Sequence, residues 1–513
     1  MPSSRTAEEY VHVPSRASEG LAEPPSELVA IQAGISPRLY NSDLAPTTRK
    51  GRHWSGYSIF TLWANDVHSL GNYAFAIGLF ALGLSGGAIL GALAFGALFL
   101  FLLLTLSGFM GEKTGVPFPV MSRIAFGIHG AQIPAVIRGG VAIAWFGIQT
   151  YLASQVLQVV IIAIFPGFAS LQHGSFLGLS AAGWITFLVL WVVQVVIVSY
   201  GMEMIRHYEA YAGPIILATF VALATWVLVQ SGFQIEWNPA HAATGGEMWL
   251  KMLGAASLWV SIYGTFVLNF CDFTRNAKSR RSIVKGNIWG IPVNMLFFGL
   301  IVVVLTGGSF KISGKLITSP ADVVAAIPNT FLLVLASLAL IALTIAVNLM
   351  ANFVAPTYAL NNLFPRHLNF RKAALISAVI GLVITPWNMY NSPVVINVFL
   401  GGLGALLGPL FGIIMVDYWL VKKTRINVPE LYSDSPAGEY AYRRGFNPRA
   451  VIALIISGTI ALLFTFLPVF ESVHDFSWFL AAGLGAVIYG VIADRRGPFH
   501  DVHGDEIAVS PQH

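Results

Sequence analysis

Residues 63–73 read Trp63-Ala64-Asn65-Asp66-Val67-His68-Ser69-Leu70-Gly71-Asn72-Tyr73 and lie in the middle of an otherwise apolar run over 58–82. A run of that length can cross ~30 Å of hydrocarbon as a helix. Asn, Asp, His, Ser and Gly together make a poor lipid-facing surface, because polar groups at that depth must be paired or line a cavity. Gly71 permits unusual backbone angles, and the Asn72 amide can bond to its own backbone. The stretch therefore predicts a span broken near residues 68–72. Its unwound centre would expose carbonyls to a cation and helix ends to a polar solute.

Comparable apolar runs recur as far as residue 492, and they predict twelve spans at 58–82, 86–109, 131–165, 181–201, 209–231, 250–271, 286–307, 329–352, 372–388, 394–421, 450–470 and 477–494. The third is too long to stand upright, so it is expected to tilt or protrude. The chain is 56% hydrophobic and 10% charged, with a mean hydropathy of +0.71. A soluble domain carries about 25% charged residues, so a large soluble protein is excluded.

Basic residues orient the spans. Of the 29 Lys and Arg, all but Lys251, Lys311 and Lys315 fall on one side if the N-terminus is cytoplasmic. The positive-inside rule is then obeyed on every cytoplasmic loop, whereas an odd number of spans would invert every later loop. Both termini are thus expected inside a plasma membrane. Residues 1–50, rich in Ser, Pro and Glu, read as a mostly disordered cytoplasmic tail with no cleavable signal peptide. Residues 51–425 then form the core, 426–495 a cytoplasmic loop and the last two spans, and 496–513 a cytoplasmic C-terminal tail. Trp54, Tyr57, Tyr200, Trp249, Tyr418, Trp419 and Trp478 lie near span ends, where interfacial aromatic belts form.

The net charge of +5 comes mainly from loop residues rather than a soluble basic face, which argues against a nucleic-acid partner. The single Cys271 excludes an intramolecular disulfide framework or a multi-cysteine metal site. Neither H-E-x-x-H nor another catalytic His/Asp cluster is present, so the chain is not expected to be an enzyme or to carry a cofactor. His474-Asp475 reads as a solvated turn in an outside loop. A channel would need a continuous polar pore, but the polar residues converge near one depth.

Three further polar interruptions accompany the first. Trp145 and Gln149 lie four apart in span three and share a face. A flat ring over an amide suits a planar heterocycle with alternating C=O and N–H groups, although packing or interhelical bonding would use the same pair. Span six holds Trp259, Tyr263, Gly264 and Thr265, and span eight presents Thr344, Asn348 and Asn352 on one stripe. Asp66 and His68 are the closely spaced titratable pair inside a span. They fit either a tether to a neighbouring helix or a proton or cation site, and spacing alone leaves both open. Spans one and six each open a group of five, the pattern of inverted repeats around a midplane site.

With these residues in place, the chain resembles the nucleobase–cation symporter-1 family over roughly residues 50–495. The resemblance rests on Gly115-Val116-Pro117-Phe118 with Arg123 and Phe126-Gly127, on Trp145-Phe146-Gly147-Ile148-Gln149-Thr150, and on Asp272-Phe273-Thr274-Arg275. It continues through Asn352 with Ala355-Pro356-Thr357-Tyr358, Leu407-Gly408-Pro409, Asp417-Tyr418-Trp419, Leu431-Tyr432 and Tyr442-Arg443-Arg444-Gly445-Phe446-Asn447. It implies an all-α integral membrane fold with a LeuT-like core of two inverted five-helix repeats plus two C-terminal helices. It also implies a cation-coupled symporter, active as a monomer in the bilayer, that imports a nucleobase or related cyclic amide by alternating access. Uracil is the first expectation, allantoin or hydantoin the next, and an amino-acid or other small-solute permease on the same scaffold the alternative.

In the family's hydantoin permeases the ring stacks between tryptophans of spans three and six and bonds a glutamine and an asparagine. By motif these positions fall on Trp145, Tyr263, Gln149 and Asn352, while the span-one glutamine falls on Ser69. The family's sodium site would use carbonyls at Asn65, His68 and Leu343, with hydroxyls at positions that are Ala346 and Val347 here. Two methyl-bearing side chains cannot supply the missing oxygens. A proton, with Asp66 and His68 at hand, is therefore expected as the coupling ion in preference to sodium, a shifted sodium site on the Asp66 carboxylate is the alternative, and no metal site is assigned.

Overall fold

The computed structural model describes residues 34–317 and 320–504. Short polar side chains decide where its helices start. Ser55 and Ser58 form a capping box for α1a (Gly56–Asp66), and Ser69 caps α1b (Leu70–Ala81) by accepting from the Asn72 backbone N–H. Val67, His68 and Ser69 lie outside both helices, so the expected break exists. Gly71 has a different role from the one expected. It is an ordinary helical residue in α1b, and the position of its absent Cβ is 3.5 Å from Gln149 Nε2.

The chain continues through α2 (Gly86–Thr114), α3 (Gln132–Ile164), α4 (Ala181–Val198) and α5 (Met202–Gln230). The thirty-three residues of α3 span about 50 Å at 1.5 Å per residue, well beyond the hydrocarbon. Next, α6a (Gly245–Ile262) kinks at Tyr263 into α6b (Gly264–Asn269), which is followed by the turn Cys271–Thr274. The helices α7 (Arg280–Ser313) and α8 (Thr330–Leu363) each contain a π segment, at Trp289–Val293 and Asn348–Phe353. A π turn leaves the regular i→i−4 ladder and is common at functional sites. Finally come α9 (Phe370–Val383), α10 (Pro393–Val416), α11 (Pro448–Phe466) and α12 (Ser477–Ile492).

Among the described residues nine helices are long and apolar enough to cross a membrane. Spans one, six and nine are instead assembled from shorter or more polar helices laid end to end, which is consistent with the expected twelve. Five crossings per unit invert the second unit relative to the first, and the packing repeats accordingly. α2 lies on α6a as α7 lies on α1a, and α3 lies on α4 as α8 lies on α9. α5 packs on α1a and α8, α10 packs on α6b and α3, and α3 and α8 face each other. α11 and α12 lie outside this scheme and clasp α10.

Two expectations need correction. Disorder was expected over 1–50, of which 1–33 lie outside the described residues, but residues from Gly34 onward are ordered. Ile35, Leu39 and Leu44 are buried. Arg275 donates to the Asp43 and Ala45 carbonyls, and Arg123 donates to the Leu39 carbonyl. Asp43 accepts from Asn361 Nδ2 and the Phe370 N–H. The segment thus fills the face that carries both termini. The aromatic belt is also smaller than expected: Tyr57, Tyr200 and Trp249 are exposed, whereas Trp54, Tyr418 and Trp478 are in the core.

Close approach of α2 to the break after α6b depends on Gly111. A Cβ there would sit 2.7 Å from Cys271 Cα and 2.8 Å from its carbonyl oxygen. Gly111→Ala is expected to destabilise the fold by about 1–3 kcal/mol, read as a lowered midpoint of thermal unfolding in detergent, while Gly87→Ala, with open space around its Cβ, leaves the midpoint in place.

Candidate functional site

The two breaks and the π segment of α8 converge on a cavity of about 880 Å³. Asp66, Ser69 and Asn72 reach it from α1, Trp145 and Gln149 from α3, Tyr263 from the α6 kink and Asn352 from α8. All five sequence-assigned substrate residues therefore share one cavity wall.

Asn72 organises the floor. Its Nδ2 donates to the Asp66 carbonyl at 2.9 Å, the Val67 carbonyl at 3.3 Å and the Tyr263 hydroxyl at 2.9 Å. The Asp66 carbonyl also accepts from the Ser69 N–H at 3.1 Å, so the break leaves the Val67 carbonyl to this amide, and an unpaired buried carbonyl is costly. One amide thus stabilises the unwound turn and fixes Tyr263, whose hydroxyl also faces the Asp66 carboxyl. Tyr263 is held from behind by Trp259 and Trp63, with ring centroids 5.4 and 6.3 Å away. Trp145 stands on α3 with its edge against Phe399 at 5.6 Å.

The polar side chains split into those occupied by the fold and those free to meet a ligand. Asn348 belongs to the fold: its Nδ2 donates to the Phe146 carbonyl, Thr150 Oγ1 and Gln194 Oε1, joining α3, α4 and α8. Thr344 bonds back to the Leu340 carbonyl. Asn352 Nδ2 donates to Asn348 Oδ1 at 2.7 Å, which orients its amide toward the cavity. Gln149 Oε1 is buried without a hydrogen-bond partner. Such an acceptor costs ~1–3 kcal/mol, which an N–H on a bound ring would recover.

The two coupling candidates on the unwound turn part company. Asp66 lines the cavity. His68 turns away and bonds Tyr73 Oη at 2.8 Å and Asn294 Oδ1 at 3.1 Å, among Phe220, Phe297 and Phe298. Its neighbours make it a tether to α7, and the structure does not pair it with Asp66. Asn65 is buried against α5, and Leu343 is buried in α8 without reaching the cavity. Ala346 and Val347 occupy the positions where the sodium design needs hydroxyls, so the residues present do not complete a sodium shell of that design.

Toward the face carrying the termini the cavity is shut. Trp63 bonds Asn287 Oδ1 at 2.9 Å and lies against Phe266 and Phe270. A Cβ on Gly290, in the π turn of α7, would lie 2.6 Å from Trp63 Cβ, so that position admits only glycine without movement. Beside this layer Arg138 donates to the Thr265 and Ala351 carbonyls and to Asn269 Oδ1, pinning α6b and α8 to α3. Toward the opposite face the cavity wall runs up through Tyr390, Thr465, Phe466, His474 and Asp475. The His474-Asp475 turn, read from sequence as a solvated loop, is thus part of the mouth.

Sequence reasoning missed Glu209, Arg138 and Asn72's structural role. Glu209 was taken as the start of span five, but α5 begins at Met202, which places the carboxyl about two turns inside.

The broken α1 and kinked α6, facing α3 and the π segment of α8 across one polar cavity, give the architecture of an inverted-repeat membrane transporter. The chain belongs to a permease family described as "Permease for cytosine/purines, uracil, thiamine, allantoin", whose profile matches residues 46–487, and hence to the nucleobase–cation-symport-1 transporters. It is 33% identical over 466 residues to an allantoin permease of Bacillus subtilis, covering 90% of this chain and 95% of that one. It is also 33% identical over 482 residues to a purine-uracil permease of Arabidopsis thaliana, covering 91% of this chain and 80% of that one. In structure it matches a nucleobase-cation-symport-1 family transporter in a closed conformation with bromovinylhydantoin bound, with a TM-score of 0.72 at 24% identity, over 88% of this chain and 94% of the other. A sodium-coupled sialic acid symporter shares the fold at 11% identity, with a TM-score of 0.58, over 93% of this chain and 99% of the other.

The cavity wall predicts a pattern of chemical access. Ser261 lines it and is partly exposed, whereas Leu343 and the native Cys271 are buried outside it. Ser261→Cys is expected to react readily with a maleimide in purified protein, and Leu343→Cys to stay as unreactive as Cys271. Equal labelling of the two engineered cysteines would contradict this cavity.

Proposed function

We propose that this chain imports a nucleobase or related cyclic amide across the plasma membrane in symport with a proton, with uracil and allantoin as the first cargoes to test. The carrying observation is the joint placement of Trp145, Tyr263, Gln149 and Asn352 on one cavity wall. Trp145 and Tyr263 offer faces for a flat ring, and Gln149 and Asn352 offer amide edges that discriminate N–H from C=O. Relatives whose names specify allantoin and purine-uracil transport support the same chemical class.

Each group has a distinct task in this reading. Cargo enters from the face that carries the α11–α12 turn, which the loop charges place outside. Ser69, at the start of α1b, adds a hydroxyl to the edge of the ring. Asp66 sits on the turn that cargo and coupling ion share, so binding of one can be felt by the other through Tyr263 and Asn72. Rocking of one helix group against the other then opens the side now closed by Trp63 and Arg138. The missing hydroxyls at Ala346 and Val347 favour a proton over sodium as the driving ion.

Trp145→Ala and Gln149→Ala are expected to abolish or cripple uptake of radiolabelled uracil or allantoin in cells with unchanged surface expression. Loss of one matched polar contact, ~1–3 kcal/mol, corresponds to roughly a 5- to 150-fold rise in KM for the glutamine variant. Wild-type uptake in both variants removes these residues from the site. Uptake should collapse with a protonophore and ignore sodium replacement by choline at fixed pH; the reverse pattern defeats proton coupling.

A further inference from the structure

One buried carboxyl inside the bundle lies outside the cavity. Glu209 is 4% exposed, and both of its carboxyl oxygens lack a hydrogen-bond partner. It sits seven residues after Met202, about 10 Å along α5 from the face carrying the termini. A buried carboxylate left unpaired in an apolar setting is among the costliest arrangements a protein can hold.

Its surroundings show what could remove that cost. Asn65 of α1a is fully buried, and its Nδ2 donates to the Thr61 carbonyl at 2.7 Å and to the Glu209 backbone carbonyl at 2.9 Å. Those two acceptors fix the amide orientation, because a flipped amide would aim oxygen at oxygen. Asn65 Oδ1 is then left without a donor. α5 and α1a approach closely here, since a Cβ on Gly213, one turn beyond Glu209, would lie 3.5 Å from both Ala64 Cβ and Asn65 Nδ2. The Asn65 amide comes near the Glu209 carboxyl without the geometry of a full hydrogen bond, and Asp66 is the other group of α1a that acts on it. Asn65 Oδ1 and the two Glu209 carboxyl oxygens, all buried and without a donor in bonding geometry, thus belong to one helix–helix contact, next to the cavity floor. A single proton on Glu209 removes a buried charge that no full donor compensates and turns one of these acceptors into a donor.

The other helices packed on α5 bring no compensating charge. α8 and α4 contain no acidic or basic residue, and the basic residues of α7 lie toward its ends, at Arg280, Arg281, Lys285 and Lys311. On α5 itself Tyr208 Oη is bonded to the Ala342 carbonyl of α8. His68 faces α5 through Phe220 but is committed to Tyr73 and Asn294. Asp66 is therefore the one charged neighbour, and two carboxylates sharing a dry site cannot both hold full charge. Further along α5, Glu203 bonds His53 at 3.0 Å and Arg206, and the His207 ring is beside them. Their exposure at the face carrying the termini gives a proton a titratable exit.

We propose that Glu209, with the Asn65 amide, is the inner proton-holding site of the transport cycle, exchanging a proton with Asp66 at the cavity floor and releasing it toward the face that carries the termini. The proton forms the O–H bond on Glu209 as it leaves the Asp66 carboxyl, and no electron changes hands. Asp66 meets cargo while Glu209 does not line the cavity, so the pair separates cargo sensing from ion release. This assignment rests on the proton-coupled reading above.

The full chain is reconstituted in liposomes, and uptake of radiolabelled uracil and allantoin is followed with and without an imposed inward proton gradient. Counterflow against unlabelled cargo is measured in the same vesicles. The wild type is expected to gain uptake from the gradient. Glu209→Gln should lose that gain entirely while counterflow persists, and Glu209→Asp should recover part of it. A Glu209→Gln protein driven by protons as well as the wild type overturns the site, as does loss of counterflow along with the drive in a monodisperse variant. A wild type driven by a sodium gradient and indifferent to protons overturns the coupling reading itself, and this site with it.

Discussion

Inside a bilayer every backbone carbonyl taken out of a helix has to be given another donor, and the whole site depends on how the Asn72 amide meets that demand. By bonding the Val67 carbonyl, and by sharing the Asp66 carbonyl with the Ser69 N–H, it lets α1 come apart without leaving acceptors in hydrocarbon. The same amide holds the Tyr263 hydroxyl, so the break in one repeat is tied to the kink in the other. Arg138 performs a parallel service across the bundle for Thr265 and for Ala351, which lies in the π segment of α8. Both side chains are structural in the strict sense, yet neither would be needed if the helices were regular. The irregular backbone of α1, α6 and α8 is thus supported by two donors whose contacts cross between repeats.

This economy places a large constraint on what can move. A helix group can rock as a body only if its breaks stay satisfied, so Asn72 and the α1 turn must travel together. Contacts between groups are the ones that must be exchanged. Trp63 against Phe266 and Phe270, and Arg138 against Thr265 and Ala351, are contacts of that kind. They lie on the closed side of the cavity. Membership in the nucleobase–cation-symport-1 family fits a cavity that is open on one side and sealed on the other by side chains rather than by backbone.

Much of the architecture was legible in the sequence because it follows from quantities that survive averaging. Span length, loop charge and the polar run 63–73 each report a demand of the bilayer, and the bilayer treats every chain alike. The cavity residues were legible by motif, since Trp145 and Gln149 share a helix face whatever the tertiary arrangement. What failed depended on a boundary or on direction. The apolar run of span five was taken to start at Glu209, because a charge normally marks an end, but α5 begins a further two turns back and carries the charge inward. His68 is two residues from Asp66 in sequence, yet the unwound turn points the two side chains into different helix interfaces. Residues 34–50 were absorbed into the polar average of the tail, although Ile35, Leu39 and Leu44 are spaced to anchor a segment lying across a surface.

That anchored segment has a consequence for how the protein is made. Asn41 donates to the Pro365 and Leu368 carbonyls, the first of them 324 positions later in the chain. Tyr432 donates to the Leu44 carbonyl, and Ser36 donates to Asp434. Residues that precede the first span therefore wait for partners that follow the tenth, and contacts of such separation close slowly. The segment can seat fully only once ten spans have been threaded and Tyr432 and Asp434 have followed them. Its docking marks completion of the bundle, so a chain truncated or stalled before that point presents an unseated N-terminal segment to the quality-control machinery of the cell.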